Sequence, residues 1–412
     1  MTIPTNTPDD HPTKSFASLA TPQGPRMSVW RSLVGQEAVV TELAAVASGG
    51  ERALAGDPTT GMTHAWLLTG PPGSGRSTAA IAFAAALQCE LGGCGVCESC
   101  HLVEIGTHPD VRVVRPSLVS FGVDDTRDLV RSAALAPSGR RWQVMVVEDA
   151  DRLTDQAVNA LLKAVEEPAP HTVWLLCAPT TEDLLPTLRS RCRHIRLRTP
   201  STEAIVRVLV ERDGIDPAVA GTAARASQGH VGRARWLATD DHARKRRADV
   251  LAIPASLTGL DACLDAATTL AAAAQEDAVA ATAAVSEEET EQMRRALGFG
   301  TVGKAPRGAE GAMRDLEGRQ DKRAKRQQRD SLDRALLELL AFYRDVLARQ
   351  LGARTAMTDG AAATAVEDLA GSSEPAATLR RMDAILACRE ALESNVSKQL
   401  ALETMTFALR TG

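Results

Sequence analysis

The segment that decides the fold reads Gly70-Pro71-Pro72-Gly73-Ser74-Gly75-Arg76-Ser77. It fits the phosphate-loop pattern G-x-x-x-x-G-K-[ST] at every defined position except one, because Arg76 replaces the lysine. An apolar run before the loop predicts a buried strand, and an alanine-rich run after it predicts a helix, which is the setting that this loop needs. Such a loop turns its backbone N–H groups toward one anion. The candidate nucleotide-binding residues in the loop are Gly70, Gly73, Gly75, Arg76 and Ser77.

Two departures from the usual pattern predict weak catalysis. A guanidinium is planar and wider than an ammonium, so Arg76 is not a conservative replacement at a tight phosphate site. The apolar strand Val144–Val147 ends in Glu148 and Asp149, where a P-loop protein holds Mg²⁺, but the usual order of the two acids is reversed. The longer Glu148 would misplace the metal ligand by about 1 Å. We expect little or no ATP hydrolysis and leave ATP binding open; the two acids could also be a solvated cap on the strand.

Four cysteines form a cluster with the spacing C-x4-C-x2-C-x2-C: Cys89, Cys94, Cys97 and Cys100. Four thiolates this close along a chain can close a tetrahedral zinc site, and the glycines between them let the backbone wrap around the metal. An iron–sulfur cluster and a chance grouping of structural thiols are alternatives. Either His101 or His108 could stand in for a thiol. We predict a structural zinc ion, because no acid/base pair or open coordination position accompanies the cysteines.

Strand-like and helix-like segments alternate over residues 28–199 and predict an α/β domain with a parallel sheet covered by helices on both faces. The predicted strands are 65–69, 111–115, 142–147, 172–178 and 193–198, and the sharpest predicted helix is Thr154–Glu167. Residues 200–255 predict short helices up to a boundary near Pro254, and 256–412 predict a helical unit interrupted by a mobile stretch near 298–318. Residues 1–27 have the composition of a disordered extension.

Composition excludes several classes of protein. Only 3% of the 412 residues are aromatic and the formal net charge is −5, which argues against a protein whose main task is to stack on or neutralise nucleic acid. No apolar run has membrane-spanning length, and the first residues lack the apolar core of a secretory signal. The other four cysteines are scattered, which suits a reducing compartment. We therefore expect a cytoplasmic protein with no membrane contact.

Three groups of basic residues are candidates for contact with phosphate. Arg191, in Ser190-Arg191-Cys192, lies where an arginine at a domain edge could reach the nucleotide of another subunit, and an ordinary surface ion pair is the alternative. Arg233 opens a predicted helix and could point at a phosphate across a cleft, or be solvated. A basic run at helical spacing could touch DNA, although a solvated helix face is the favoured interpretation: Arg319, Lys322, Arg323, Lys325, Arg326 and Arg329.

Taken in order, these features resemble the bacterial clamp-loader subunits of DNA polymerase III, and most closely the delta-prime subunits. The segment Leu33–Gln36 is similar to the family's adenine-side box, and the cysteine module follows the phosphate-loop helix, as it does in this family. Thr107–Asp110 follows the module as in family members. Asn159–Pro168 is similar to the family's most recognisable internal motif, and Thr187–Cys192 is similar to its arginine-finger box.

The resemblance implies a AAA+ domain, a small helical lid over 200–255 and a helical collar over 256–412 that joins a five-subunit ring. By the same resemblance, Arg191 is an arginine finger that acts in trans and Arg233 is the sensor-2 residue. The implied partners are the gamma/tau and delta subunits, with the sliding clamp and primer-template DNA reached through the complex. The implied role is a holoenzyme subunit with no activity of its own. An active ATPase motor subunit and a DNA-binding module are the alternatives.

Overall fold

The structure is a computed structural model that describes residues 28–57, 61–114, 123–139, 141–297, 309–353, 362–394 and 396–412. The predicted N-terminal extension, 1–27, lies outside the described residues, as do residues 298–308 of the predicted mobile stretch. Residues Ala309–Gln350 form one helix, whereas we expected the interruption to run to Gly318. A glycine in a helix costs about 1 kcal/mol relative to alanine. The burial of Leu316 helps to offset that cost.

Five parallel strands form one sheet: β1 (Ala65–Thr69), β2 (Val111–Val114), β3 (Gln143–Val147), β4 (Thr172–Ala178) and β5 (Arg193–Arg196). Their order is β2-β3-β4-β1-β5, and every neighbouring pair is parallel. Parallel neighbours need crossover connections, which the intervening helices supply. The predicted α/β fold class with a parallel sheet is confirmed.

The sheet is buried on both faces. Along β1, Trp66 and Leu68 pack into one apolar cluster, whereas Ala65 and Leu67 pack into another. Successive side chains of a strand point to opposite faces, so the two clusters are the two sides of the sheet. The near-continuous apolar character of the strands follows from this double burial.

Helices surround the sheet. They are α1 (Glu37–Ser48), α2 (Gly50–Leu54), α3 (Arg76–Gln88), α4 (Glu98–Glu104), α5 (Val123–Ala133), α6 (Asp155–Glu166) and α7 (Pro186–Arg189). Short 3-10 helices cover Val29–Ser32 and Ala150–Arg152. Helix α6 begins where predicted because the Thr154 hydroxyl accepts a hydrogen bond from the Ala157 N–H. Helix α3 begins directly after the phosphate loop.

Four helices with their own apolar core follow the sheet, and we call them the lid helices: α8 (Thr202–Glu211), α9 (Pro217–Ala226), α10 (Val231–Thr239) and α11 (Asp241–Ser256). Side-chain caps from Ser201, Asp216, His230 and Asp240 fix the four N-termini. Pro254, expected near a boundary, lies in the last turn of α11, which ends two residues later.

The C-terminal helices are α12 (Leu260–Ala296), α13 (Ala309–Gln350), α14 (Ala363–Ser372), α15 (Pro375–Glu393) and α16 (Lys398–Thr411). They share one apolar core with the end of α11. Helices α12 and α13 run antiparallel, because Gln320 bonds to Ser286 while Ser331 bonds to Asp277. At 37 and 42 residues they extend for about 55 and 63 Å. Among the described residues, no helix is long and apolar enough to cross a membrane.

Candidate nucleotide site and metal centre

The phosphate loop connects β1 to α3 and needs its glycines. Gly73 has φ +82°, and a Cβ there would lie 2.7 Å from the Cα and Cβ atoms of His230 on the lid. A Cβ on Gly70 would lie 2.8 Å from the carbonyl oxygen of Leu197. The loop therefore leaves no room for a side chain at either position, and a lid residue packs directly on its tip.

The guanidinium of Arg76 lies across this loop. Its Nη1 donates to the carbonyl oxygen of Gly70, which joins the first residue of α3 to the first residue of the loop. Its Nη2 lies 3.9 Å from Oδ1 of Asp149, and only 13% of the side chain is exposed. Ser77 follows in the first turn of α3 and is half-buried. The loop residues and Asp149 are thus brought together around the arginine.

The two acids at the end of β3 take different environments. Glu148 is buried, at 8% exposure, and continues the line of the strand. Asp149 has a left-handed backbone, with φ +49°, and turns toward two arginines. Besides Arg76, its Oδ2 lies 3.6 Å from Nη2 of Arg326, which comes from helix α13. This link between the sheet domain and the C-terminal helices was not predicted.

Gln36 ties the loop to the end of β5. Its Nε2 donates to the carbonyl oxygens of Ser74 (3.1 Å) and Arg198 (2.6 Å), and its Oε1 accepts from the Arg198 N–H (3.2 Å). The glutamine is buried. The sequence signal for this residue was the segment Leu33–Gln36, which resembles an adenine-side box, but the contacts of Gln36 were not predicted.

Arg233 does not reach the phosphate loop in this structure. Its Nη2 pairs with Oε1 of Glu338 on α13, whose Oε2 accepts from Nε of Arg247 at 2.9 Å. All three side chains are less than 10% exposed. Burial lowers the pKa of Arg233 to about 10, and the nearby Arg247 adds to that shift. From the same helix start, it is His230 that contacts the loop, and its Nδ1 accepts from the Arg233 N–H.

Arg191 lies away from the loop, just after α7, with 38% of its side chain exposed. Its Nη2 lies 2.6 Å from Oε1 of Glu166, the last residue of α6. Its Nη1 donates to the carbonyl oxygen of Thr187 at 2.6 Å and to Oγ of Ser190 at 3.3 Å. These contacts tie Arg191 to α6 and α7, and none of them involves the phosphate loop.

The four clustered cysteines converge beyond the far end of α3. Their Sγ atoms lie within 4.8 Å of one another, and those of Cys97 and Cys89 are 3.7 Å apart. A zinc ion with about 2.3 Å bonds to four sulfurs requires sulfur separations of about 3.8 Å, so the cluster fits such an ion. Backbone N–H groups of Cys94, Cys97 and Cys100 point at the preceding sulfurs, at 3.4 to 3.5 Å. The four residues can therefore hold one metal ion such as zinc.

The cysteine thiols differ in acidity. Burial alone would raise the pKa of Cys89, but the backbone N–H groups of Cys94, Gly93 and Leu91 outweigh it and lower that pKa to about 7. Burial raises the pKa of Cys97 and of Cys100, and the neighbouring thiols add to the rise at Cys100. A bound cation would favour all four thiolates.

The metal module is fixed by its neighbours. A Cβ on Gly93 would lie 2.6 Å from Cγ2 of Val29, and the Val29 N–H donates to the Gly93 carbonyl at 3.2 Å. On the other side, Nε of Arg141 donates to the carbonyl oxygen of Leu87 at 3.0 Å. The module therefore joins the start of the described chain to the end of α3.

Comparisons with known proteins agree with this architecture. Residues 58–201 match the family model described as DNA polymerase III, delta subunit. Over these residues the chain is similar to the clamp-loader family of DNA polymerase III. It is 37% identical to a Pseudomonas aeruginosa DNA polymerase III subunit delta' over 163 residues, which are 38% of this chain and 50% of the relative. It is 36% identical to a Mycobacterium bovis subunit gamma/tau over 214 residues, which are 50% of this chain and 35% of the relative.

The chain spans half or less of the length of these two clamp-loader relatives. A DNA polymerase III gamma subunit-related protein from Thermotoga maritima has a solved structure that covers 88% of this chain and 97% of its own. Identity to it is 15% and the TM-score is 0.37, so it adds no support to the assignment. The resemblance seen in the sequence is confirmed at the level of the clamp-loader family, and the type of subunit stays a prediction.

The basic run lies along α13, and some of its members form ion pairs within the molecule. Arg323 forms a two-bond pair with Glu289 of α12, and Arg326 meets Asp149. Arg319, Lys322 and Lys325 are exposed. Arg323 therefore contributes to packing between helices and Arg326 to a link with the end of β3, whereas three members of the run face solvent.

Proposed function

We propose that this protein is a delta-prime-type clamp-loader subunit. It assembles with gamma/tau and delta subunits to load the sliding clamp on primed DNA, and it hydrolyses little or no ATP itself. The observation that carries this proposal is the Arg76 guanidinium lying across the phosphate loop. Homologues named as delta' and gamma/tau subunits support the setting.

The argument against hydrolysis starts from the donors of Arg76. They are committed to the Gly70 carbonyl oxygen and to Asp149, which itself also faces Arg326. A lysine ammonium is a compact point charge that three phosphate oxygens can share, whereas a planar guanidinium of this width crowds the same nest. With Asp149 paired to arginines and Glu148 buried, neither acid presents a carboxylate suited to a magnesium ion at the loop.

Arg191 supports an action on a neighbouring subunit. Its side chain is 38% exposed and its contacts are with α6 and α7 rather than with the phosphate loop, which suits an arginine supplied in trans. A structural zinc ion held by the four cysteines supplies no step of a reaction in this account. It would fix the segment between α3 and α4 against Val29.

The test is ATP turnover by the isolated chain, beside a gamma/tau subunit as a positive standard. We expect turnover at background level for the natural chain and for Arg76→Ala. Turnover comparable to the standard, abolished by Arg76→Ala, would contradict the proposal. Arg76→Lys is the matched variant: if the arginine alone blocks the site, the lysine should restore nucleotide binding.

The second candidate is a motor subunit of the same complex. The 36% identity to gamma/tau over 214 residues favours it. In that case Arg76 would do the work of the lysine, and the isolated chain would turn over ATP. The same assay therefore separates the two candidates.

A further inference from the structure

The guanidinium of Arg191 is held by three acceptors in its own chain. Oε1 of Glu166 accepts from Nη2 at 2.6 Å, the Thr187 carbonyl oxygen accepts from Nη1 at 2.6 Å, and Oγ of Ser190 accepts at 3.3 Å. An arginine side chain has five N–H donors. Two of these donors remain available for an outside anion. The side chain is therefore oriented while it keeps free N–H donors.

The fold brings Glu166 and Arg191 together through the core beneath them. Leu188 of α7 is fully buried in the apolar cluster that also holds Leu161 and Val165 of α6. Because α7 has only four residues, this contact fixes it against the C-terminal turn of α6. Glu166 ends that turn and lies in the segment Asn159–Pro168, which is similar to the most recognisable internal motif of the clamp-loader subunits.

The ion pair between Arg191 and Glu166 is too exposed to contribute much to the stability of the fold. The two side chains are 38% and 42% exposed, and ion pairs of this kind contribute little to stability. An unrestrained arginine, by contrast, has many rotamers to lose when it binds an anion. A restraint at the surface therefore acts mainly on where the guanidinium points.

We propose that Glu166 is the positioning residue of Arg191. It holds the guanidinium at the domain edge in a fixed orientation, with donors left for the phosphoryl oxygens of a nucleotide bound by the neighbouring subunit. This inference rests on the proposed function, in which Arg191 acts in trans. Glu166 itself touches no reacting group.

The experiment is DNA- and clamp-stimulated ATPase of the reconstituted complex containing gamma/tau, delta and this chain. The quantity compared is the Arg191-dependent turnover, defined as the natural complex minus the Arg191→Ala complex. The variants are Glu166→Ala, which removes the acceptor, and Glu166→Gln, which keeps a carbonyl oxygen. The matched control is Glu167→Ala, because Glu167 is exposed and its side chain makes no hydrogen bond or ion pair within the described part of the chain.

A displacement of about 1 Å in a positioned group costs about a hundredfold, and the Thr187 carbonyl still restrains Arg191. We expect Glu166→Ala to lower the Arg191-dependent kcat about tenfold with KM for ATP nearly unchanged. Glu166→Gln should recover part of the loss, and Glu167→Ala should match the natural chain. In an Arg191→Ala background, Glu166→Ala should have no further effect.

Three results would overturn the inference, and they differ from one another. If Glu166→Ala behaves like Glu167→Ala while Arg191→Ala is impaired, Arg191 acts in trans without help from Glu166. If Glu166→Ala lowers turnover equally with and without Arg191, its role is structural. If Arg191→Ala itself has no effect, the proposed trans action fails, and the positioning role fails with it.

Discussion

Replacing Glu338 by alanine should loosen the lid helices from α13. In the structure this carboxylate joins Arg233 and Arg247, and the three side chains are 7 to 9% exposed. Removing it takes away the carboxylate that the two buried guanidinium groups share, and leaves Asp333 and Asp345 as the nearby acids whose charge acts on Arg233 and Arg247. Breaking a buried ion pair in this way costs about 3 to 5 kcal/mol.

The structure favours the lower end of that range. A cavity of about 570 Å³ between the lid and α12–α13 is lined by Arg233, Arg247 and Glu338. Water in this cavity can solvate the two arginines once the carboxylate is removed. We therefore expect about 3 kcal/mol, which corresponds to roughly a hundredfold change in an opening equilibrium. Glu338→Gln, which keeps an acceptor oxygen but loses the charge, should fall between the natural chain and the alanine variant.

Amide hydrogen exchange of α10 and α11 measures this opening directly. The control is Glu317→Ala on the same helix, because Glu317 is exposed and without a side-chain partner among the residues that the structure describes. Exchange in the lid should accelerate about a hundredfold in Glu338→Ala and stay unchanged in Glu317→Ala. Equal exchange in the two variants would refute the view that Glu338 anchors the lid.

Two further predictions concern the metal module and the loop after it. Protein purified without added metal should contain about one zinc ion per chain, as measured by elemental analysis. The Cys94→Ser variant should lose the zinc, whereas His101→Ala, which changes an exposed neighbour, should keep it. An iron–sulfur absorption spectrum would contradict the assignment. Asp110 accepts from Ser138 and from the Gly139 N–H, so Asp110→Ala should cost about 1 to 3 kcal/mol in urea unfolding. Burial would raise the pKa of Asp110, but these hydrogen bonds and His108 lower it below 3.8. The Asp110 carboxylate therefore contributes fully to the free energy of unfolding above pH 3.8, and this contribution is lost as the pH falls through the lowered pKa. The Asp110→Ala variant should not show that loss.

Local spacing made much of the sheet predictable. Strands β1 and β4 have the predicted bounds, because each is an apolar run closed by polar or turn residues. Strand β5 ends two residues earlier than predicted. The Leu197 N–H still bonds to Thr69, but the Arg198 backbone is taken by Gln36, which draws the chain away from the ladder.

The candidate site also has parts that the sequence predicted and parts that it did not. The phosphate loop and the cysteine cluster were predicted because their residues lie close together along the chain. The pairs Arg326–Asp149, Arg233–Glu338 and Arg191–Glu166 were not predicted. Each joins two segments far apart in sequence, and the rotation of one helix against another, set by packing of the cores, decides which charges meet.

The most direct test of the account compares two arginines in the reconstituted clamp loader. DNA- and clamp-stimulated ATP turnover and clamp loading are measured with Arg76→Ala and with Arg191→Ala, after both variants are shown to assemble. Because an arginine in trans contributes about 10³ to 10⁵ at one site, Arg191→Ala should silence that site and impair loading, while other sites keep part of the total turnover. Arg76→Ala should leave turnover and loading unchanged. Loss of turnover with Arg76→Ala, and normal turnover with Arg191→Ala, would contradict the account.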